Sequence, residues 1–189
     1  MTVIVPGDPI EAMLAVKAAV EHQGPCYLRL GKGKEPIIHQ QTPEFQIGKA
    51  IKVMDGKDVT LISTGDVLSN VVKAAEQLAD NGIKAQVFSM HTVKPIDTSA
   101  VLSAGQETAV IITIEEHNII GGLGSAVAEV LAESGISGVV FKRLGINDSF
   151  STKVGSQEYL RKDYLLSVEG IVNTVKSTIR RKTCYNVVK

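Results

Sequence analysis

The sequence predicts an α/β protein of three layers, αβα, on a sheet of about five mostly parallel strands whose first strand runs antiparallel to the rest, preceded by a separate βαβ unit. Three observations lead there. Along the 189 residues, short apolar runs alternate with segments of helical period, the pattern of helices laid on both faces of a parallel sheet. The longest apolar runs, such as Val110 to Ile114 with Thr113 its one polar residue, are strand-sized. Gly, Pro, Asn and Asp punctuate the boundaries between runs.

Taken in order, Met1 to Val5 is a short apolar strand. Asp8 then stands as an N-cap, Pro9 at the first helical position and Glu11 as the end of a capping box, so a helix is expected from Pro9 to about His22. Gly24-Pro25 stops it and Cys26 to Leu30 is again strand-like. One βαβ unit cannot enclose a core by itself, so the chain is expected to begin mid-domain. Gly31 to Pro43 has no periodicity and reads as a linker, which divides the chain into residues 1–33, a linker at 34–43 and a domain over 44–189.

Within that domain, Ile47 to Met54 and Val59 to Thr64 are strands, and Asp55-Gly56-Lys57 between them predicts an antiparallel hairpin. Val67, Leu68, Val71, Val72, Ala75, Leu78 and Ala79 recur at helical period up to Asn81-Gly82, and Ile83 to Phe88 follows as a strand. Lys94-Pro95-Ile96-Asp97 opens a short helix capped by Asp97. Gly121 to Gly124 is a glycine loop, Ser125 to about Glu133 a helix, and Val139 to Phe141 the last strand. Two helices finish the chain, near Ser156 to Lys162 and from Ser167 to about Lys182, the second with Ile171, Val172, Val175 and Ile179 on one face.

Twenty Lys and Arg against twenty Asp and Glu, with 44% hydrophobic residues, exclude a disordered or collagen-like chain and a disulfide scaffold. Zero net charge gives no field to gather nucleic acid or an anionic bilayer. Arg180, Arg181 and Lys182 are read as cations complementing the end of a helix. Cys26 and Cys184 lie far apart without metal-ligand spacing, so a reducing cytoplasm is expected. Neither a signal peptide nor a membrane span is recognised.

Chemistry concentrates in Glu115-Glu-His-Asn-Ile-Ile-Gly-Gly-Leu-Gly-Ser125, which leaves a central strand and enters a helix. As a dinucleotide fingerprint it fails, because Val127 stands where the third glycine belongs. Gly121, Gly122 and Gly124 allow either a tight, closely packed turn or an anion held on the helix N-terminus. Glu115, Glu116 and His117 are an acid/base set only if they converge, and neighbours in extended chain point to alternate sides. His22, His39 and His91 have no carboxylate or cysteine at ligand spacing and are expected to serve packing or surface roles. No nucleophile elbow, phosphate-binding loop or HExxH motif occurs, so the chain is expected to carry no catalytic residue and no metal ligand of its own.

Ile112-Thr-Ile-Glu-Glu-His-Asn-Ile-Ile-Gly-Gly-Leu-Gly-Ser-Ala-Val-Ala-Glu-Val-Leu-Ala132 closely resembles the signature of the C-terminal domain of transketolase-like, thiamine-diphosphate-dependent enzymes. Thr92-Val-Lys-Pro-Ile-Asp97 and Leu144-Gly-Ile-Asn-Asp148 with Phe150 resemble further segments of that domain, and Val3 to Gly33 is similar to the end of the preceding pyrimidine-binding domain. Gly155-Ser-Gln-Glu-Tyr-Leu-Arg161 and Tyr164-Leu-Leu-Ser167 look most like the separately encoded C-terminal subunit of split transketolases. The resemblance implies two-carbon ketol transfer between sugar phosphates, with thiamine diphosphate and Mg bound mainly by parts outside this chain. The family's Gly-Asp-Gly motif is missing, since Gly7-Asp8 is followed by Pro9 and Gly65-Asp66 by Val67, and its catalytic glutamate would lie before Met1. Alone, the chain is expected to be inactive and to bind no cofactor. Its implied partner is a thiamine-diphosphate-binding domain or N-terminal subunit, in a homodimer or heterotetramer. Arg29 matches an arginine that contacts the sugar phosphate, and Glu116 and His117 belong to a loop near the subunit interface. Two relatives share the glycine loop, 1-deoxyxylulose-5-phosphate synthase and the beta subunit of 2-oxo acid dehydrogenases. A non-catalytic anion- or nucleotide-binding module is the alternative of another class.

Overall fold

The computed structural model describes the backbone through residue 187 and the side chains through residue 182, so Cys184 lies outside the described side chains. β1 (Thr2–Ile4), α1 (Pro9–Glu21) and β2 (Cys26–Leu28) form the βαβ unit, with β1 and β2 parallel. The start of α1 follows from its sequence. Asp8 accepts the Glu11 N–H at 2.8 Å, and the Glu11 carboxylate reaches back to the Gly7 N–H at 2.6 Å, one residue earlier than a standard box. Later elements are β3 (Ile51–Met54), β4 (Val59–Thr64), α2 (Leu68–Asp80), β5 (Ala85–Ser89), β6 (Thr92–Lys94), α3 (Thr98–Glu107), β7 (Val110–Asn118), α4 (Leu123–Glu133), β8 (Val140–Ile146), α5 (Gln157–Asp163) and α6 (Val168–Val187).

The main sheet has the order β3-β5-β4-β7-β8, parallel throughout except for β3, which runs antiparallel to β5. β4 and β5 are buried at every residue, so each sends apolar side chains to both faces. Leu61, Val87, Ile112 and Ile114 pack beneath α2 and α6, while Ile62, Phe88 and Ile111 pack beneath α3 and α4. This is the expected three-layer αβα domain.

The expected hairpin of β3 and β4 does not form, because β5 lies between them. β4 is a central strand with parallel partners on both sides, which leaves β3 the outer edge of β5. The turn signal has another cause. Lys57 and Asp58 donate their N–H groups to the Lys84 carbonyl at 3.1 and 2.9 Å, and the Asp58 carboxylate accepts the Lys84 N–H at 2.7 Å. A Cβ on Gly56 would stand 2.2 Å from the carbonyl carbon of Ala85. Gly56 is where the chain crosses the start of β5, and a glycine needed for close backbone approach looks in sequence like a hairpin glycine.

Three further differences bear on the site. β6, not expected from the sequence, pairs antiparallel with β1, so a second sheet of order β2-β1-β6 draws a strand from the later chain. β7 and β8 continue to Asn118 and Ile146 rather than stopping at Ile114 and Phe141, because after a register shift they still pair at Asn118 and Ile146. The stretch read as a linker is irregular but fastened: Ile38 and His39 donate their N–H groups to Asp8 at 2.9 and 3.1 Å. Among the described residues, no helix is long and apolar enough to cross a membrane.

Candidate functional site

From β4 the chain turns to β5 on one side, and from β7 to β8 on the other, so the carboxyl ends of β4 and β7 form the switch point where open α/β sheets leave a crevice. Thr64 and Glu115 are register partners at its mouth. The small sheet is seated there. Gly65 N–H and Thr64 Oγ1 donate to the Val5 carbonyl at 3.1 and 3.4 Å, and Val5 N–H donates to the His91 carbonyl at 2.7 Å. Two clefts flank this contact. One, of about 220 Å³, is lined by Arg29, Lys32, Asp66, Glu116 and Gln157 among others, and the second, of about 240 Å³, by Tyr27, Arg29, Glu115, His117 and Gly122 among others.

Arg29 lines both clefts and donates from Nη2 to the Glu116 carbonyl at 3.0 Å. Along β7 the side chains alternate as extended backbone requires. Glu115 is buried and accepts the N–H groups of Leu123 and Gly124, both at 2.8 Å. Glu116 turns to α5, where Arg161 donates to it from Nε at 2.8 Å and Nη2 at 2.6 Å. His117 is exposed, with Nδ1 2.9 Å from the Asn118 carbonyl. The three therefore do not meet. Burial raises the Glu115 pKa above the usual carboxylate value, opposed by its two backbone donors.

The N-terminus of α4, which the glycines suggest as a seat for an anion, is filled by this chain's own Glu115. A Cβ on Gly122 would lie 2.0 Å from Glu115 Oε2, and one on Gly124 would lie 2.7 Å from Arg143 Cγ, so both are packing glycines. Gly121 differs, with φ +75 and open space around it. Arg143 from β8 completes the clamp by donating to the Ile119 carbonyl at 2.8 Å.

Local reasoning misses two polar clusters. Arg161 also reaches Asp66, at 3.0 Å, so one guanidinium bridges the turn after β4 and the carboxyl end of β7. His39, expected to have no carboxylate neighbour, has Nε2 2.7 Å from Glu11 Oε1 in a buried pocket beside Asp8, and the bond to Glu11 raises its pKa. The one signal for the second cluster is the capping pair Asp8 and Glu11, which burial of α1 turns inward. Asp8, Glu11 and His39 form the one three-residue grouping of metal-ligand type among the described residues. Every carboxylate oxygen in it already has a protein donor, from Gly7, Glu11, Ile38 or His39. His22 and His91 sit against Thr2 and Thr92, at 3.1 and 3.0 Å.

Residues 48–171 match the family described as transketolase, C-terminal domain. The chain belongs to that family. Over 182 residues this transketolase C-terminal-domain chain is 38% identical to the 6-deoxy-6-sulfo-D-fructose transketolase subunit SqwH of Clostridium sp. (strain MSTE9), covering 96% of this chain and 56% of that protein. It is 39% identical over 184 residues to 1-deoxy-D-xylulose-5-phosphate synthase 1 of Geobacter sulfurreducens, covering 96% of this chain and 29% of that one. A solved structure described as a split gene transketolase, inactive beta4 tetramer, matches with a TM-score of 0.88 at 35% identity, over 96% of this chain and 59% of that chain. The transketolase C-terminal-domain chain thus spans little more than half the length of the transketolase proteins it matches, and it is a C-terminal part of a transketolase-like enzyme.

Proposed function

We propose that this chain is the C-terminal half of a cytoplasmic transketolase that moves a two-carbon ketol unit between sugar phosphates, and that it contributes assembly and a substrate contact rather than bond-making groups. The observation that carries the reading is the seating of the β1–β2 unit on the switch-point crevice, with Arg29 lining the clefts on both sides. A guanidinium has five donors, and the Glu116 carbonyl takes one nitrogen of Arg29, so donors remain for a phosphate. Thiamine diphosphate, when bound to such an enzyme, supplies the electron sink for cleaving and forming the ketol bond. The acids present here do not fit its Mg and diphosphate. Asp66 is paired with Arg161, and the Asp8 and Glu11 oxygens are taken by protein donors.

The cofactor is therefore assigned to a separate thiamine-diphosphate-binding domain or N-terminal subunit, joined with this chain in a homodimer or heterotetramer. Relatives described as a transketolase subunit and as a beta4 tetramer support that reading. So does the surface of α1, where Met13, Val16 and Val20 are exposed on one helix face. In this reading residues 1–33 end a pyrimidine-binding domain whose remainder covers that face, 34–43 connect, and 44–189 are the C-terminal domain. The loop carrying Glu116, His117, Gly121, Gly122 and Gly124 lies at the interface. Calorimetric titration of thiamine diphosphate and Mg, with ketol transfer assayed alongside, tests it on this chain alone and on its mixture with the protein encoded directly upstream. Binding and turnover in the mixture only are expected. Turnover by the chain alone, or silence of the mixture, overturns the proposal.

A further inference from the structure

Residues 31–43 cross the surface as neither strand nor helix, and most of them are exposed. The chain is anchored on both sides of them. Before the stretch, the Arg29 N–H donates to the Ile4 carbonyl at 2.9 Å, and after it the Phe45 ring stacks on His91 with centroids 3.9 Å apart. Among the described residues, the backbone N–H groups of the stretch that reach outside it are those of Ile38 and His39. Both fall on Asp8 Oδ2, at 2.9 and 3.1 Å. The same two residues add side-chain contacts: Ile38 packs against the main core, and His39 Nε2 lies 2.7 Å from Glu11 Oε1, these two side chains being 8% and 0% exposed. Gly33 N–H turns inward to Glu35 and adds no tie to the rest of the fold. A segment held at one point, with its other backbone groups open to water, unfolds locally at lower cost than the core.

Protonation decides how firmly that point is held. An imidazolium on Glu11 makes a charge-assisted bond, whereas neutral imidazole with its proton on Nε2 still donates but holds about tenfold less strongly. The titratable groups facing His39 are Asp8 and Glu11 at the start of α1 and His91 in the connection between β5 and β6. His91 stays neutral above about pH 4. The bond to Glu11 raises the His39 pKa against the effect of burial, so the hold is full below 6.5 and weakens as pH rises through the folded value. We infer that residues 31–43 are a strap that opens as a unit of its own, ahead of the core, and that His39 seated on Glu11 is its proton-operated lock. The strap is the covalent connection between the βαβ unit and the main domain, and its opening breaks no strand pairing. The inference involves no ligand and does not rest on the functional reading above.

The test is native-state hydrogen exchange of the full chain, followed at the Ile38 and His39 amides, with Leu61 of the central strand β4 reporting global unfolding. Rates are corrected for the intrinsic effect of pH on exchange. Ile38 and His39 are expected to exchange faster than Leu61 from about pH 6 to about pH 8.5, and low urea should leave their rates unchanged. Across that range their protection is expected to fall about tenfold, in step with the titration of the His39 ring signal. H39Q, which carries no titrating group, flattens the profile. H22Q, at the other end of α1, keeps it. A His39 that serves only to fill space predicts a flat profile in the native chain as well. Where H39Q fails to fold, the native chain and H22Q carry the test. Exchange of Ile38 and His39 only together with Leu61, a flat native profile, a sloping profile in folded H39Q, or a flat one in H22Q overturns the inference. No cofactor or turnover enters these measurements, so a silent enzyme mixture would count against the functional reading alone.

Discussion

His91, in the connection between β5 and β6, gives the sharpest prediction about stability. It is fully buried, its ring stacks on Phe45 with centroids 3.9 Å apart, and its Nδ1 lies 3.0 Å from Thr92 Oγ1. Burial lowers its pKa from 6.5 to about 4, with the Glu11 charge opposing that shift and His39 adding to it. As pH falls below 6.5, the unfolded chain takes up a proton here that the folded chain refuses until about pH 4. Stability is therefore unaffected by this group above 6.5 and is lost progressively as pH falls toward 4. At about 1.36 kcal/mol per pKa unit, the full shift corresponds to roughly 3 kcal/mol. The perturbation is H91Q, which removes the titration and keeps a polar side chain of similar length. Urea denaturation of both proteins near pH 7 and again near pH 4.5 should show native stability falling more steeply, with the gap between the curves closing by about 2 to 3 kcal/mol. The carboxylates titrate in both proteins and cancel in the difference. Parallel pH profiles, or a His91 ring signal that titrates near its unperturbed value, would refute the reasoning.

His39 acts in the opposite direction. Its raised pKa means that its pairing with Glu11 is fully present below 6.5 and is lost as pH rises through the folded value. H39A should cost about 3 kcal/mol near pH 6 and distinctly less in alkaline solution, as measured by urea denaturation at the two pH values. E115A leaves the Leu123 and Gly124 N–H groups without their acceptor and should cost about 2 to 4 kcal/mol, with E115Q losing less, in the same assay. Melting temperatures of two glycine variants should differ in order: G56A drives a Cβ into the Ala85 backbone and costs about 3 kcal/mol, whereas G121A meets open space at φ +75 and costs about 1 to 2. Equal losses in G56A and G121A would mean that the crossing at β5 is looser than described.

What could be read from sequence was local. Asp8 and Asp97 cap α1 and α3 through side chains that bond three residues ahead, a distance that sequence displays directly. The alternation of strand and helix led to the αβα layers, whereas the antiparallel first strand was expected from a hairpin with β4 and is antiparallel to β5 instead. Pairing was harder, because it is decided between segments. Asp55-Gly56-Lys57 looked like a hairpin until β5 was found between β3 and β4, and Thr92 to Lys94 is too short to show a period. In the site, Gly122 and Gly124 announced a tight turn, while their purpose, room for Glu115 and Arg143, was not visible. Arg161 gave no signal, since Glu116 is 45 residues away and Asp66 lies on yet another element. The family signature located the domain but was silent on that charge pairing.

The pairing of β6 with β1 also sets a clock on biosynthesis. Val3 finds its partner only at Lys94, so the β1 edge stays open while the intervening chain is made. At ribosomal speeds of about 5 to 20 residues per second, that interval lasts roughly 5 to 20 seconds. Throughout it, the βαβ unit keeps the β1 edge open as well as the outer edge of β2, and an open strand edge is a template on which other chains can pair.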